Sequence, residues 1–270
     1  MRFIAMRKNV ANKVAKPFFT KLQIWREEHV GIIALNNFSQ NFLDEELVDQ
    51  LSSALTIAEG DERIKVLCIT GSGPTFFSAG VRWERIEDLK GFIQKTHALA
   101  SILLALSKPT VSLVNSHALG AGFELSLLTD FRLSAQGAKL GFPEGRLGYP
   151  TVFASFYILN KIVGPSVAKK ILTLGEMFDS QTALQLGLVD MVFEKTNFYG
   201  DAKTWVSSLA NSSKILSATR QVALNPLEFR RALDLEMIYA MEISEKFKEE
   251  GLSELRKARE KVALSGEKNG

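Results

Sequence analysis

Cysteine is nearly absent. Cys68 stands alone among 270 residues, so no intrachain disulfide can form, and its place in the strand-like run Lys65-Val66-Leu67-Cys68-Ile69-Thr70 reads as a small core residue. Also missing is any run of about 18 or more uncharged apolar residues, the length a membrane helix needs. The longest greasy stretch, Ala98 to Leu106, is too short to span a bilayer, and no membrane partner is expected. Acids are missing from the first 26 residues, which carry seven bases: Arg2, Arg7, Lys8, Lys13, Lys16, Lys21 and Arg26. Of the 33 bases in all, 26 then remain against 30 acids. The net charge of +3 therefore belongs to the N-terminal stretch, and the mildly acidic body argues against a nucleic-acid partner. Residues 1–20 read as a basic arm. Few serines and no cleavage signature set it apart from an organelle transit peptide, so a cytoplasmic protein is expected, with an organelle matrix as the alternative. No cluster of His, Cys and carboxylates has metal-ligand spacing, and no metal is expected.

What is present suits a large soluble core, with 46% hydrophobic and 23% charged residues. Lys21 to Arg26 and Val30 to Leu35 flank the polar turn Glu27-Glu28-His29 and read as a hairpin. Leu43, Leu47, Leu51 and Leu55 recur every four residues, and Asp44, Glu45 and Glu46 sit where a helix dipole favours carboxylates, which predicts an amphipathic helix. A strand at 65–70, a helix from about Gly91 to Leu106, a strand at Thr110 to Val114, a short helix from near Gly122 and a strand at Phe131 to Ser134 follow. Strands separated by helices of this length predict an α/β fold. From about Ala202 the strand signals vanish, and Arg230 to Lys261, rich in Leu, Ala, Glu, Lys and Arg, predicts helices that need an apolar partner surface. The expected organisation is an arm at 1–20, a core at 21–200 and a helical region at 201–270.

Two glycine-bearing turns close strands: Thr70-Gly71-Ser72-Gly73-Pro74-Thr75-Phe76-Phe77-Ser78-Ala79-Gly80, and Asn115-Ser116-His117-Ala118-Leu119-Gly120-Ala121-Gly122-Phe123-Glu124-Leu125. A dinucleotide loop would need a third glycine at position 125, where Leu125 stands, and no Gly-Lys-Ser/Thr follows to make a phosphate loop. Two loops of small residues remain, which suit backbone N–H groups fixed in advance around a developing negative charge.

These stretches resemble the enoyl-CoA hydratase/isomerase (crotonase) superfamily from about Leu22 to Lys261. Leu35 to Leu43 is similar to the family's turn before the first helix, and Phe77-Ser78-Ala79-Gly80 to its first oxyanion loop. Ala118 to Glu124 is similar to its second oxyanion loop, Gly141-Phe142-Pro143-Glu144 to its second acid/base segment, and Phe178 to Asp190 to the stretch that follows. The resemblance implies a spiral of ββα units with a C-terminal helical region used in self-association, as a homotrimer or dimer of trimers. It implies that the N–H groups of Ala79 and Ala121 grip a thioester oxygen, with Glu144 moving a proton at the α-carbon and Glu124 orienting water. Phe38, Ser78, Gly80, Arg82 and Gly120 are the implied substrate and coenzyme A contacts. The expected reaction is hydration of a 2-enoyl thioester, or its reverse, with no cofactor beyond the coenzyme A of the substrate and a place in fatty acid metabolism.

Several positions depart from the family's commonest form. Ala121 stands where glycine is usual, Arg82 replaces a frequent aspartate, and Gly145-Arg146-Leu147-Gly148-Tyr149-Pro150-Thr151-Val152 lacks a glycine run after the proline. Trp83, Phe77, Phe142, Phe153 and Phe156 supply bulk near the motifs, and His117 reads as a structural hydrogen-bonding residue. Isomerisation or decarboxylation of a CoA or carrier-protein thioester is the alternative chemistry. A non-catalytic thioester- or RNA-binding protein is the alternative of another class, resting on the basic arm alone.

Overall fold

A computed structural model of the protein describes residues 19–210, 215–216, 218–219 and 225–244. The readings made for residues 1–18 and for the helical stretch past residue 244 lie outside the described residues. Strands β1 (Leu22–Glu27) and β2 (Val30–Leu35) form the expected antiparallel hairpin, with Glu28 in the left-handed region at φ 51° to make the tight turn. Helix α1 (Glu45–Glu59) starts where Asp44 accepts a hydrogen bond from the Leu47 N–H at 2.9 Å, and it buries Leu47, Leu51 and Leu55 as its four-residue spacing requires. Helix α2 (Leu89–Ala105) is capped likewise by Asp88 on the Gly91 N–H, at 2.9 Å.

The remaining strands fall into two sheets. Strands β3 (Val66–Gly71), β5 (Thr110–Val114), β7 (Phe131–Ala135) and β10 (Met191–Phe193) extend the hairpin into a six-stranded sheet of order β1-β2-β3-β5-β7-β10, parallel beyond the hairpin. Strands β4 (Phe76–Ser78), β6 (His117–Leu119), β8 (Lys139–Gly141) and β9 (Met177–Asp179) form a second sheet in that order. From β3 to β8 the chain lays strands alternately in the two sheets, which is the spiral of ββα units. The sequence reading missed the second sheet because a strand of three residues is too short to display an alternating pattern. Its strands matter most for function, since the turns leaving β4, β6 and β8 carry the motif residues.

Five short helices occupy the crossovers: α3 (Ala121–Leu127), α4 (Glu144–Leu147), α5 (Ser155–Val163), α6 (Pro165–Leu174) and α7 (Ser180–Gln185). The main core packs α1, α2 and α3 against the sheets. A second cluster covers the other face of the large sheet, where Val30, Ile32, Val66, Cys68 and Val111 meet Phe198, Ala202 and Val206 of α8 (Phe198–Leu209). The change of class expected near residue 200 is therefore not a change of core, because α8 seals the sheet. Cys68 is wholly buried there, and burial pushes its thiol pKa well up, as the core reading anticipates. Helix α9 (Pro226–Ser244) lies against α2, burying Phe229, Leu233 and Ala240 while Leu227, Leu235, Ile238 and Tyr239 stay exposed. Among the described residues no helix is long and apolar enough to cross a membrane.

The family-like segment ending in Asp190 gains a physical role. Arg132 on β7 is buried, and its guanidinium donates to Leu188 O at 3.0 Å and Thr129 O at 2.9 Å while pairing with Asp190 at 3.0 Å. Asp190 also accepts from the Arg132 N–H at 2.7 Å, so this clasp joins β7 to the turn before β10. Arg132→Ala leaves buried carbonyls unsatisfied and is expected to lower unfolding free energy by about 3 kcal/mol. Urea denaturation measures it, and an unchanged midpoint would remove the clasp from the account of stability.

Candidate active site

Three turns of the second sheet converge, and glycine allows each approach. A Cβ built on Gly80 (φ 88°), after β4, would lie 2.8 Å from Leu119 O and 3.3 Å from Ala121 N. One built on Gly122 would lie 2.5 Å from Ser78 O, and one on Gly120 (φ 52°) would lie 1.4 Å from Glu144 Oε1. The same Glu144 oxygen is 3.6 Å from the Cβ position of Gly80. The Gly120 N–H donates to Gly141 O at 2.8 Å, tying the second turn to the third. Absence of a side chain at Gly120 is thus what lets Glu144 reach this junction, while at Gly80 it lets the first loop approach the backbone of the second.

Ala121 opens α3 directly after Gly120, so its N–H lies in the first helical turn, where donors point out of the helix and the dipole favours negative charge. The expectation for Ala79 does not hold: its N–H donates to Gln40 O at 2.9 Å and is already engaged. The cause is the pairing of the first loop with the segment before α1, where Leu43 N–H also donates to Gly80 O at 2.9 Å. Ser78 is buried and its Oγ accepts from the Gly80 N–H at 3.2 Å, which makes it a brace of the loop.

Glu124 and Glu144 are both buried, at 1% and 3% exposure, as the apolar surroundings of the motifs predict. Glu124 Oε2 accepts three hydrogen bonds, from Val152 N–H at 2.9 Å, Phe153 N–H at 3.0 Å and Ser155 Oγ at 2.7 Å. Its Oε1 is buried with no hydrogen-bond partner among the described residues. Burial raises the Glu124 pKa well above 4.5, and the carboxylates of Glu236 and Glu144 push it the same way against the pull of its donors. Two oxygens of one group thus have different tasks, one anchored and one presented.

The other expected residues divide. Phe38 is exposed at φ 55°, and the Arg82 guanidinium stands 5.2 Å from its ring centroid and 5.6 Å from that of Phe42, so Phe38 and Arg82 come together at the surface. Phe77, Phe142 and Phe153 are core, Phe156 is exposed, and Trp83 stacks on Tyr149 with centroids 4.8 Å apart. His117 Nδ1 accepts from the Lys139 N–H at 2.9 Å, and burial lowers its pKa to about 4, a neutral structural role as read from the sequence. Sequence reasoning missed the donors on 152–155 and the carboxylate of Glu236, for which no local signal existed. Among the described residues no group of three or more His, Cys, Asp or Glu could hold a metal ion.

Comparisons with known proteins identify the family and the fold. The family model described as enoyl-CoA hydratase/isomerase matches residues 26–261. A crotonyl-CoA hydratase of Syntrophomonas wolfei is 28% identical over 220 residues, covering 78% of this chain and 85% of that protein. A 2,3-dehydroadipyl-CoA hydratase of Escherichia coli is 34% identical over 207 residues, covering 75% and 81%. The crystal structure of an enoyl-CoA hydratase from Bacillus halodurans shares the fold, with a TM-score of 0.78 at 22% identity, over 88% of this chain and all of that one.

A carboxyl whose folded pKa is raised weakens the fold once pH exceeds its unfolded value, because the unfolded chain ionises first. Glu124→Gln cannot ionise. Its stability relative to the parent should therefore improve by a few degrees of melting temperature as pH rises from 4.5 to neutrality, with no such trend below. A pH-independent difference in calorimetric melting would contradict the raised pKa.

Proposed function

The chain belongs to the enoyl-CoA hydratase/isomerase family, and on that premise we propose that it is an enoyl-CoA hydratase, adding water to a 2-enoyl coenzyme A thioester or removing it. The observation that supports this reading is the pair of buried glutamates, Glu144 packed against Gly120 and Glu124 with its Oε1 unbonded among the described residues. An isomerase needs one carboxylate to carry a proton between two carbons. Hydration needs two groups near one water, which two buried glutamates would supply.

In the proposed reaction the thioester carbonyl lies against the N-terminus of α3. Water held by Glu124 Oε1 attacks the β-carbon, and the electron pair of the double bond moves onto the carbonyl oxygen as an enolate. The Ala121 N–H and the helix dipole stabilise that oxygen. Glu144 then delivers a proton to the α-carbon, and the proton lost by water passes to the carboxylate pair, which restores the charge balance. Hydrogen bonds from Val152, Phe153 and Ser155 keep Glu124 from rotating its free oxygen away.

The coenzyme A moiety is the sole non-protein group required in this reading, and Phe38 with Arg82 forms a surface cation–aromatic pair suited to its adenine and phosphates. The exposed Leu227, Leu235, Ile238 and Tyr239 of α9 support self-association, proposed as a trimer or dimer of trimers. A cytoplasmic location and a role in fatty acid metabolism complete the proposal.

Loss of the conjugated absorbance of crotonyl-CoA and longer enoyl thioesters measures the activity. Glu124→Gln and Glu144→Gln are each expected to lower kcat by about 10²–10⁴-fold with little change in KM. Full hydration by Glu124→Gln would instead favour the single-carboxylate isomerase, and no turnover across the thioester panel would overturn the hydratase reading.

A further inference from the structure

The segment from Thr151 to Ser155, where the chain enters α5, holds Glu124 and also a second, largely shielded carboxylate. Glu236 of α9 has a side chain only 9% exposed. Its Oε2 accepts from the Ala154 N–H at 2.8 Å, and its Oε1 accepts from Thr151 Oγ1. Thr151 and Ala154 thus turn to Glu236, while Val152, Phe153 and Ser155 turn to Glu124. One strap thus has its donors shared between two acids. Ala154, between the two sets of donors, adopts a left-handed conformation, φ 55° and ψ 40°. On the far side His97 of α2, 12% exposed, places Nε2 3.0 Å from Glu236 Oε2 and supplies the countergroup.

We propose that Glu236, seated by His97, is a positioning residue for Glu124, pinning the Thr151–Ser155 strap so that its donors hold Glu124 Oε2 and leave Oε1 facing the reacting water. The inference rests on the hydratase reading for its consequence in turnover, and on the hydrogen bonds alone for the coupling between the two acids. A strap held by Glu124 alone would be free to follow that side chain; held also by Glu236, it is a fixed cradle.

Charge enters as well as geometry. Glu236 is the largest like-charge influence on Glu124, ahead of Glu144. The groups facing Glu124 are Glu236 from α9 and Glu144 from α4, and the group facing Glu236 from α2 is His97. From α5, Tyr157 and Lys161 face Glu228, two turns earlier on α9. Removing the charge of Glu236 while keeping its acceptor should therefore make Glu124 easier to ionise.

The test compares Glu236→Gln, Glu236→Ala and His97→Gln in the full chain. Hydration of crotonyl-CoA is followed across pH, and the Glu124 carboxyl is titrated by carbon-13 NMR without substrate, its resonance identified by its absence in Glu124→Gln. Glu236→Gln should keep kcat within about tenfold of the parent and move both the acid limb of kcat and the Glu124 midpoint down by about one pH unit, as loss of a near like charge does. Glu236→Ala should lower kcat by about 10–100-fold with KM nearly unchanged, as loss of aim without loss of binding does. His97→Gln should fall between them. An unmoved Glu124 midpoint in Glu236→Gln overturns the proposal, whether or not the parent hydrates crotonyl-CoA. A parent inactive on every thioester with a shifted midpoint would sink the hydratase reading and leave the coupling standing. Should Glu236→Ala not fold, the Gln variant decides.

Discussion

A carboxylate withdrawn from water is tolerable only when its surroundings supply donors in fixed directions, and the candidate site is organised around meeting that condition for Glu124. Three donors converge on one oxygen, from a segment 28 to 31 residues further along the chain. They satisfy the anchored oxygen and leave the other without a hydrogen-bond partner among the described residues. The imbalance gives the group its chemical use, since an acid with both oxygens satisfied would hold no water and one with neither would not stay ionised.

The same demand explains why the second sheet exists in so abbreviated a form. Its strands at β4, β6 and β8 have three residues each, barely enough to pair, yet each delivers a turn to one place. Glycine at 80 and 120 then allows backbone and carboxylate to approach at distances a methyl group would prevent. The long sheet provides rigidity through β3, β5 and β7, with Arg132 and Asp190 locking its far edge. The short sheet provides the site. Helix α9 closes the arrangement by bringing Glu236 and a buried apolar face against α2, so the C-terminal helix contributes to the interior of the site and not to the outer surface alone.

Much of this was legible locally. The hairpin, the four-residue leucine spacing of α1, the runs at β3 and β5 and the two small-residue turns all follow from neighbours in sequence, and each forms as read. Glu124 and Glu144 were readable as buried acids because Phe123, Leu125 and Phe142 surround them in the chain itself. Ala79 was misread for an equally physical reason: the direction of its N–H is set by pairing with Gln40, about forty residues earlier, and no feature of the glycine turn announces that partner. Glu236 sits in a helix whose composition suggests a solvated face, and nothing near it marks it as interior.

By itself, then, the order of residues determined the alternating α/β character, the two glycine turns and the identity of the acids, because spacing and backbone freedom are properties of adjacent positions. Only the tertiary structure decided which amide is engaged, which oxygen of Glu124 is held and which remote acid shares its cradle. Hydrogen-bond partners of a buried group come from segments that meet only after folding, and their directions depend on the final path of the chain.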